Sequence, residues 1–89
     1  MEFFSLKHAA MFLRVTPERL RALIKTGQAA ATRRGRGYVL ELAEITRLAE
    51  LEAARQERYV YGQAGWLAEF TERVETFRWL RELAEQRQP

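Results

Sequence analysis

At 89 residues the chain fits one small domain, and a domain of this size buries only about 60–65% of its unfolded surface, so its own core is thin. It has no Cys, no Asp, no Asn and a single His, which excludes disulfides, thiolate metal sites, paired aspartates and a Ser-His-Asp triad. The formal charge of +3 conceals a split: residues 1–40 carry eight Lys or Arg against Glu2 and Glu18, a balance of +6, and residues 41–89 carry seven Arg against ten Glu, a balance of −3. A basic half joined to an acidic half predicts that one end meets a polyanion and the other does not.

Ser5 is placed to cap a helix. Behind it Leu6, Ala9, Ala10 and Leu13 recur at the spacing of one helical face, predicting a helix near 5–13. Lys7, His8, Met11 and Phe12 fill its other positions, with His8 read as a surface residue or a weak phosphate donor and Lys7 as within reach of a phosphate backbone. Arg14-Val15 breaks the pattern, and Thr16-Pro17-Glu18 opens a second helix near 16–26. Thr16 is its N-cap, Pro17 suits the first helical position, and Glu18 sits at the positive end of the helix dipole. The apolar face is Leu20, Leu23 and Ile24, and Gly27 ends the helix. So short a junction, with Val15 pinned inside it, predicts a steep crossing of the two helices. Arg19 and Arg21 lie off the apolar face and Lys25 lies at the helix end. Glu18 either serves the dipole alone, the simpler reading, or accepts from a cytosine amino group.

Gln28-Ala29-Ala30-Ala31-Thr32-Arg33 reads as a short extended segment, and Tyr38-Val39-Leu40 has strong strand propensity. With Arg34-Gly35-Arg36-Gly37 between them they predict a β-hairpin near 30–40. Arg33, Arg34 and Arg36 make its tip the densest basic cluster in the chain, suited to a narrow minor groove.

From Glu41 the helical period returns through Leu42, Ile45, Leu48, Ala49 and Leu51, up to about Arg58. Tyr59-Val60-Tyr61-Gly62-Gln63-Ala64-Gly65 interrupts it. A last helix is predicted from about Gly65 or Trp66 to Gln86, with a stripe of Leu67, Phe70, Val74, Phe77, Leu80 and Ala84 flanked by Trp66, Trp79 and Leu83. Glu69 and Arg73 form an i,i+4 pair on its solvent side. The stripe is either the seam of an internal hairpin with residues 42–58 or an interface with a second copy. Two helices alone cannot cover it and two tryptophans, so a homodimer through Trp66, Leu67, Phe70, Val74, Phe77 and Leu80 is the expectation.

Taken together, Ser5-Leu6-Lys7-x-Ala9-Ala10-x-x-Leu13-x-Val15-Thr16-Pro17-x-x-Leu20-Arg21-x-Leu23-Ile24-x-x-Gly27, followed by Arg33-Arg34-Gly35-Arg36-x-Tyr38, resembles the excisionase/MerR-type winged helix-turn-helix over about residues 4–50. The resemblance implies a mainly α fold. A winged helix-turn-helix with a two-stranded β-hairpin wing would occupy 1–50, and a C-terminal helical hairpin, the dimerisation extension, 51–89. It further implies a second helix in the major groove and a wing on the adjacent backbone or minor groove. The DNA-binding residues are then Thr16, Arg19, Arg21, Lys25, Arg33, Arg34 and Arg36. Arg21 matches the arginine of the family's Leu-Arg pair and is the leading candidate for a base contact. Arg14 stands where that family usually has Gly, which predicts a strained turn. Gln28-Ala29-Ala30 replaces the usual Leu-Pro, which shifts the wing.

The expected function is sequence-specific binding of double-stranded DNA by a small regulator, an excision factor or a phage DNA-handling protein. The alternative is a protein-interaction adaptor or inhibitor on the same scaffold. No catalytic activity, cofactor, metal, small-molecule ligand or membrane partner is expected. Met1-Glu2-Phe3-Phe4 lacks the basic-then-apolar layout of a signal peptide, so a cytoplasmic, nucleoid-associated protein is expected.

Overall fold

Ser5 ends one element and starts the next. It closes strand β1 (Phe3–Ser5) and caps helix α1 (Leu6–Leu13), its Oγ accepting from the His8 backbone N–H at 3.2 Å. Helix α2 (Pro17–Lys25), strands β2 (Thr32–Arg34) and β3 (Gly37–Glu41), and helices α3 (Leu42–Ala53) and α4 (Gly62–Gln86) follow. The computed structural model describes residues 2–56 and 62–87. The predicted end of the third helix at about Arg58, and the part of the predicted interruption at 59–61, lie outside the described residues. Among the described residues the chain is mainly helical, with four helices and a three-stranded antiparallel sheet in the order β1-β3-β2.

The turn between α1 and α2 follows from how α1 ends. Arg14 takes the left-handed conformation (φ 56°, ψ 40°); its N–H bonds the Met11 carbonyl and the Val15 N–H bonds the Ala10 carbonyl at 3.0 Å. This is the Schellman pattern, which satisfies the last carbonyls and turns the chain sharply. Val15 packs on the core, and Thr16 caps α2 through the Arg19 N–H. The end of α2 repeats the device. Gly27 sits at φ 81°, its N–H bonds Ile24, and the Gln28 N–H bonds Leu23.

The core is centred on Phe12, Leu20, Leu40 and Ile45, all fully buried. The predicted face of α1 is buried, but so is Phe12, because α4 and β1 cover a second side of that helix. Phe4, Phe12 and Phe77 meet edge to face there, with centroids 5.1 to 5.9 Å apart. Such pairs add roughly 0.5–1.5 kcal/mol each beyond area burial. Arg73 of α4 donates to the Phe12 carbonyl through Nε (3.0 Å) and Nη2 (2.8 Å), pinning α4 across the end of α1. The predicted i,i+4 pair is present, Arg73 Nη1 lying 4.0 Å from Glu69, but Arg73 turns inward and does not stand on the solvent side.

Three further differences have local causes. Strand β1 was absent from the sequence reading because three residues are too few to show a period; its register, Phe4 opposite Leu40, is fixed by burial of both. The first hairpin strand begins at Thr32, not Gln28, since alanines make poor strands and Ala29 is buried. Helix α4 begins at Gly62, several residues earlier than predicted; Gly65 weakens a helix by about 1 kcal/mol but does not end one that packs through Trp66.

Candidate nucleic-acid interface

Burial of Leu20 fixes how α2 is turned. Leu20 is fully buried, with Leu23 and Ile24 packed on the core beside it. At about 100° per residue, the row farthest from Leu20 is Glu18, Ala22 and Lys25, and all three are exposed. Arg19 and Arg21 leave the helix on its two shoulders, about 100° to either side of Leu20. Arg21 is free on one shoulder; Arg19 borders a small cleft with Leu51, Glu52 and Arg55 of the α3 end. The two arginines therefore do not project together. Thr16 is exposed, and its Oγ1 already accepts the Arg19 N–H at 3.1 Å.

The hairpin carries the second group. Its register pairs Arg33 with Tyr38 and Arg34 with Gly37. Side chains alternate across a sheet, so Arg33 shares the Phe4–Leu40 core face and Arg34 takes the opposite face. Accordingly Arg33 lies over the Tyr38 ring (5.9 Å) and Arg34 over the Phe3 ring (5.9 Å). Gly35, at φ 61°, is the first of the two tip residues and Arg36 the second, which is the pattern of a type II′ turn. All three arginines are exposed.

Helix α2 and the hairpin both rest on α1. The segment joining them is fastened by a pair the sequence reading missed. Glu44 Oε2 accepts from the Ala30 N–H (2.8 Å), and Arg47 Nη2 donates to the Gln28 carbonyl (3.0 Å). The two side chains bind each other twice, at 2.7 and 2.6 Å. Hydrogen bonding from Arg47, aided by the Ala30 N–H and the Arg47 charge, holds the Glu44 carboxyl below its ordinary range against the opposing effect of burial. Their i,i+3 spacing was visible; their reach back to residues 28–30 was not.

Ion pairing divides the molecule. Arg47, Arg73, Arg78 and Arg81 each lie within 4.0 Å of a glutamate, Arg78 and Arg81 sharing Glu2. Among the described residues no ion pair engages Lys7, Arg14, Arg19, Arg21, Lys25, Arg33, Arg34 or Arg36, nor Arg55 and Arg87 farther along the chain. Among the described residues no group of three His, Cys, Asp or Glu side chains is placed to hold a metal, and no helix is long and apolar enough to cross a membrane.

The residues predicted to form a dimer seam are largely used within the chain. Trp66, Phe70 and Val74 are buried, and Leu67 and Phe77 pack on the same core. Only Leu80 of that set is open, at 52%, beside Trp79 at 59% and, across a groove of about 440 Å³, Met11 at 49%. His8, read as a surface residue, is half-buried with its ring 4.4 Å from that of Phe77 and its Nδ1 3.0 Å from Ser5 Oγ. Comparison with known protein families, curated proteins and solved structures finds no match to this chain.

Proposed function

We propose that this chain binds double-stranded DNA sequence-specifically as a winged helix-turn-helix protein, serving as a small regulator, an excision factor or a phage DNA-handling protein. The observation that carries the reading is the set of exposed cations on α2 and the hairpin that, among the described residues, have no carboxylate partner, whereas Arg47, Arg73, Arg78 and Arg81 each lie beside a glutamate. In this reading α2 enters the major groove, which is wide enough for a helix. Arg21 and Arg19 meet phosphates along its walls, Lys25 meets one at the C-terminal end of the helix, and the Thr16 hydroxyl, its oxygen occupied by the Arg19 N–H, donates its proton to another. Arg33, Arg34 and Arg36 reach the adjacent backbone or minor groove from the two faces and tip of the hairpin. The Glu44–Arg47 pair sets the distance between the two contact regions by holding residues 28–30. Selection of bound duplexes from a random pool tests this. Enrichment of a defined motif is the expected result. Absence of any motif, with weak and salt-insensitive binding, would favour an acidic protein as the partner.

The reading includes a homodimer, with its seam moved to the outer side of α4. Thr76, Trp79, Leu80 and Leu83 fall at heptad-like spacing on a face turned away from Phe70 and Val74. Antiparallel pairing about a two-fold axis near Trp79 and Leu80 sets Thr76 against Leu83 of a second copy, and Glu72 against its Arg87, so the strip is self-complementary in charge. Sedimentation equilibrium at micromolar concentration is expected to give twice 10.5 kDa for the wild type and 10.5 kDa for Leu80→Glu. A wild-type mass of 10.5 kDa throughout would reject the dimer.

A further inference from the structure

Glu18 is out of place on the surface just described. Residues 3–40 hold no other acidic side chain, and Glu2 is occupied by Arg78 and Arg81. Glu18 is exposed, and among the described residues it forms no ion pair, although Arg14, Arg19 and Arg21 are near it in sequence. A carboxylate so placed repels phosphate and weakens binding to every duplex. Glu18 lies in the first turn of α2, where the helix dipole favours a carboxylate, but any residue of that turn would serve the dipole, and the dipole does not account for the row on which this one stands. Its position on the helix is more telling. Glu18 and Ala22 lie on the row opposite buried Leu20, at the N-terminal end of α2, with Arg19 and Arg21 on the shoulders. A helix lying in a major groove aims that outermost row at the base edges and its shoulders at the two phosphate walls.

We infer that Glu18 is the principal base-reading residue of α2, its carboxylate accepting from the exocyclic amino group of a cytosine, with Ala22 against a neighbouring thymine methyl. The inference rests on the proposed DNA-binding role and names what that surface selects. Cytosine presents only an amino donor in the major groove, thymine and guanine present acceptors, and adenine sets the N7 lone pair beside its amino group, so a carboxylate accepts best from cytosine, is opposed in part by adenine N7 and is repelled by thymine and guanine. The cost of Glu18 against random sequence thus becomes the source of discrimination. The arginines supply affinity and carry little sequence information.

The test is a parallel selection from a random duplex pool with the full-length wild type, Glu18→Ala and Glu18→Gln, followed by titration on single-base variants of the wild-type motif. Thermal melting by circular dichroism checks that each variant is folded. The wild type is expected to show a cytosine preference of about tenfold at one position. Glu18→Ala is expected to bind random duplex more tightly and to lose that preference. Glu18→Gln is expected to move it toward adenine, whose N6 and N7 a glutamine amide matches; misfolding cannot produce such a switch. A wild-type motif that both variants retain unchanged would overturn this inference and leave the DNA-binding reading intact. Failure of the wild type to select any motif would overturn both.

Discussion

Arg14 occupies a place that costs stability, His8 one whose contribution depends on pH, and Arg73 one that supports the core. Arg14 has a Cβ at φ 56°, a conformation that costs a side-chain-bearing residue roughly 1–2 kcal/mol and glycine much less. After glycine's greater entropy loss, Arg14→Gly should raise the unfolding free energy by about 0.5–1 kcal/mol in urea titration. Arg14→Ala is the control: an equal gain from alanine would trace the effect to relief of repulsion with Arg73 instead of backbone strain. His8 is held below its ordinary 6.5 by burial, then by the charges of Lys7 and Arg81. Its folded pKa lies below its unfolded one, so the unfolded chain takes the proton first. Stability is therefore full above about pH 6.5 and declines as pH falls from there toward the folded value. His8→Gln should flatten denaturation midpoints compared across that window, and a slope unchanged in the variant would place its origin elsewhere. The Arg73 guanidinium gives two hydrogen bonds to the Phe12 carbonyl and lies 5.6 Å from the Trp66 ring, so Arg73→Ala should destabilise by about 1–2 kcal/mol, the value for charge-assisted bonds reduced for partial exposure. Loss of DNA affinity without loss of stability in that variant would contradict its assignment to the core.

At the scale of elements, the legible parts are those whose signals are local. Ser5, Thr16 and Gly27 mark helix ends through caps that involve residues only a few positions away, and α1 and α2 lie where those signals put them, as α3 begins where the helical period returns. The hairpin tip was legible because Gly35 and Gly37 bracket Arg36 between strand-forming residues. What was not legible depends on distant partners: β1 exists only because β3 lies beside it, Phe12 is buried only because α4 crosses α1, and Glu44 and Arg47 matter because they reach residues 28–30. The site was readable as a list of cations but not as a geometry, since the opposed directions of Arg19 and Arg21 follow from the burial of Leu20. That geometry changes what substitution should do. Arg21→Ala should weaken selected and random duplexes alike and lower the salt slope by about one, as for a phosphate contact. A loss confined to the selected site would make Arg21 a base reader and return α2 to the role the sequence resemblance implied.

For the whole molecule, the organising feature is segregation of charge. Three arginines of the acidic half hold α4 on the core, Arg73 beside Glu69 of its own helix and Arg78 and Arg81 on Glu2 of the basic half. The basic half leaves its cations exposed on α2 and the hairpin. A single domain of this size buries only about 600–1,000 Å² on DNA, and two copies joined through α4 would double the contacts and read two half-sites. The central claim is that α2 and the hairpin together form the DNA-binding surface. Its most direct test is the salt dependence of affinity for a short mixed-sequence duplex, measured for the wild type, for Arg21→Ala/Lys25→Ala, for Arg34→Ala/Arg36→Ala, and for Arg78→Ala, whose partner is Glu2, as a control outside the surface. Six phosphate contacts, from Arg19, Arg21, Lys25, Arg33, Arg34 and Arg36, predict a slope of log affinity on log salt near −5 per chain, at about 0.9 per contact. Each of the first two double variants should reduce that slope by about two and the control should leave it unchanged. A wild-type slope near zero, or one that falls equally in the control, would contradict the account.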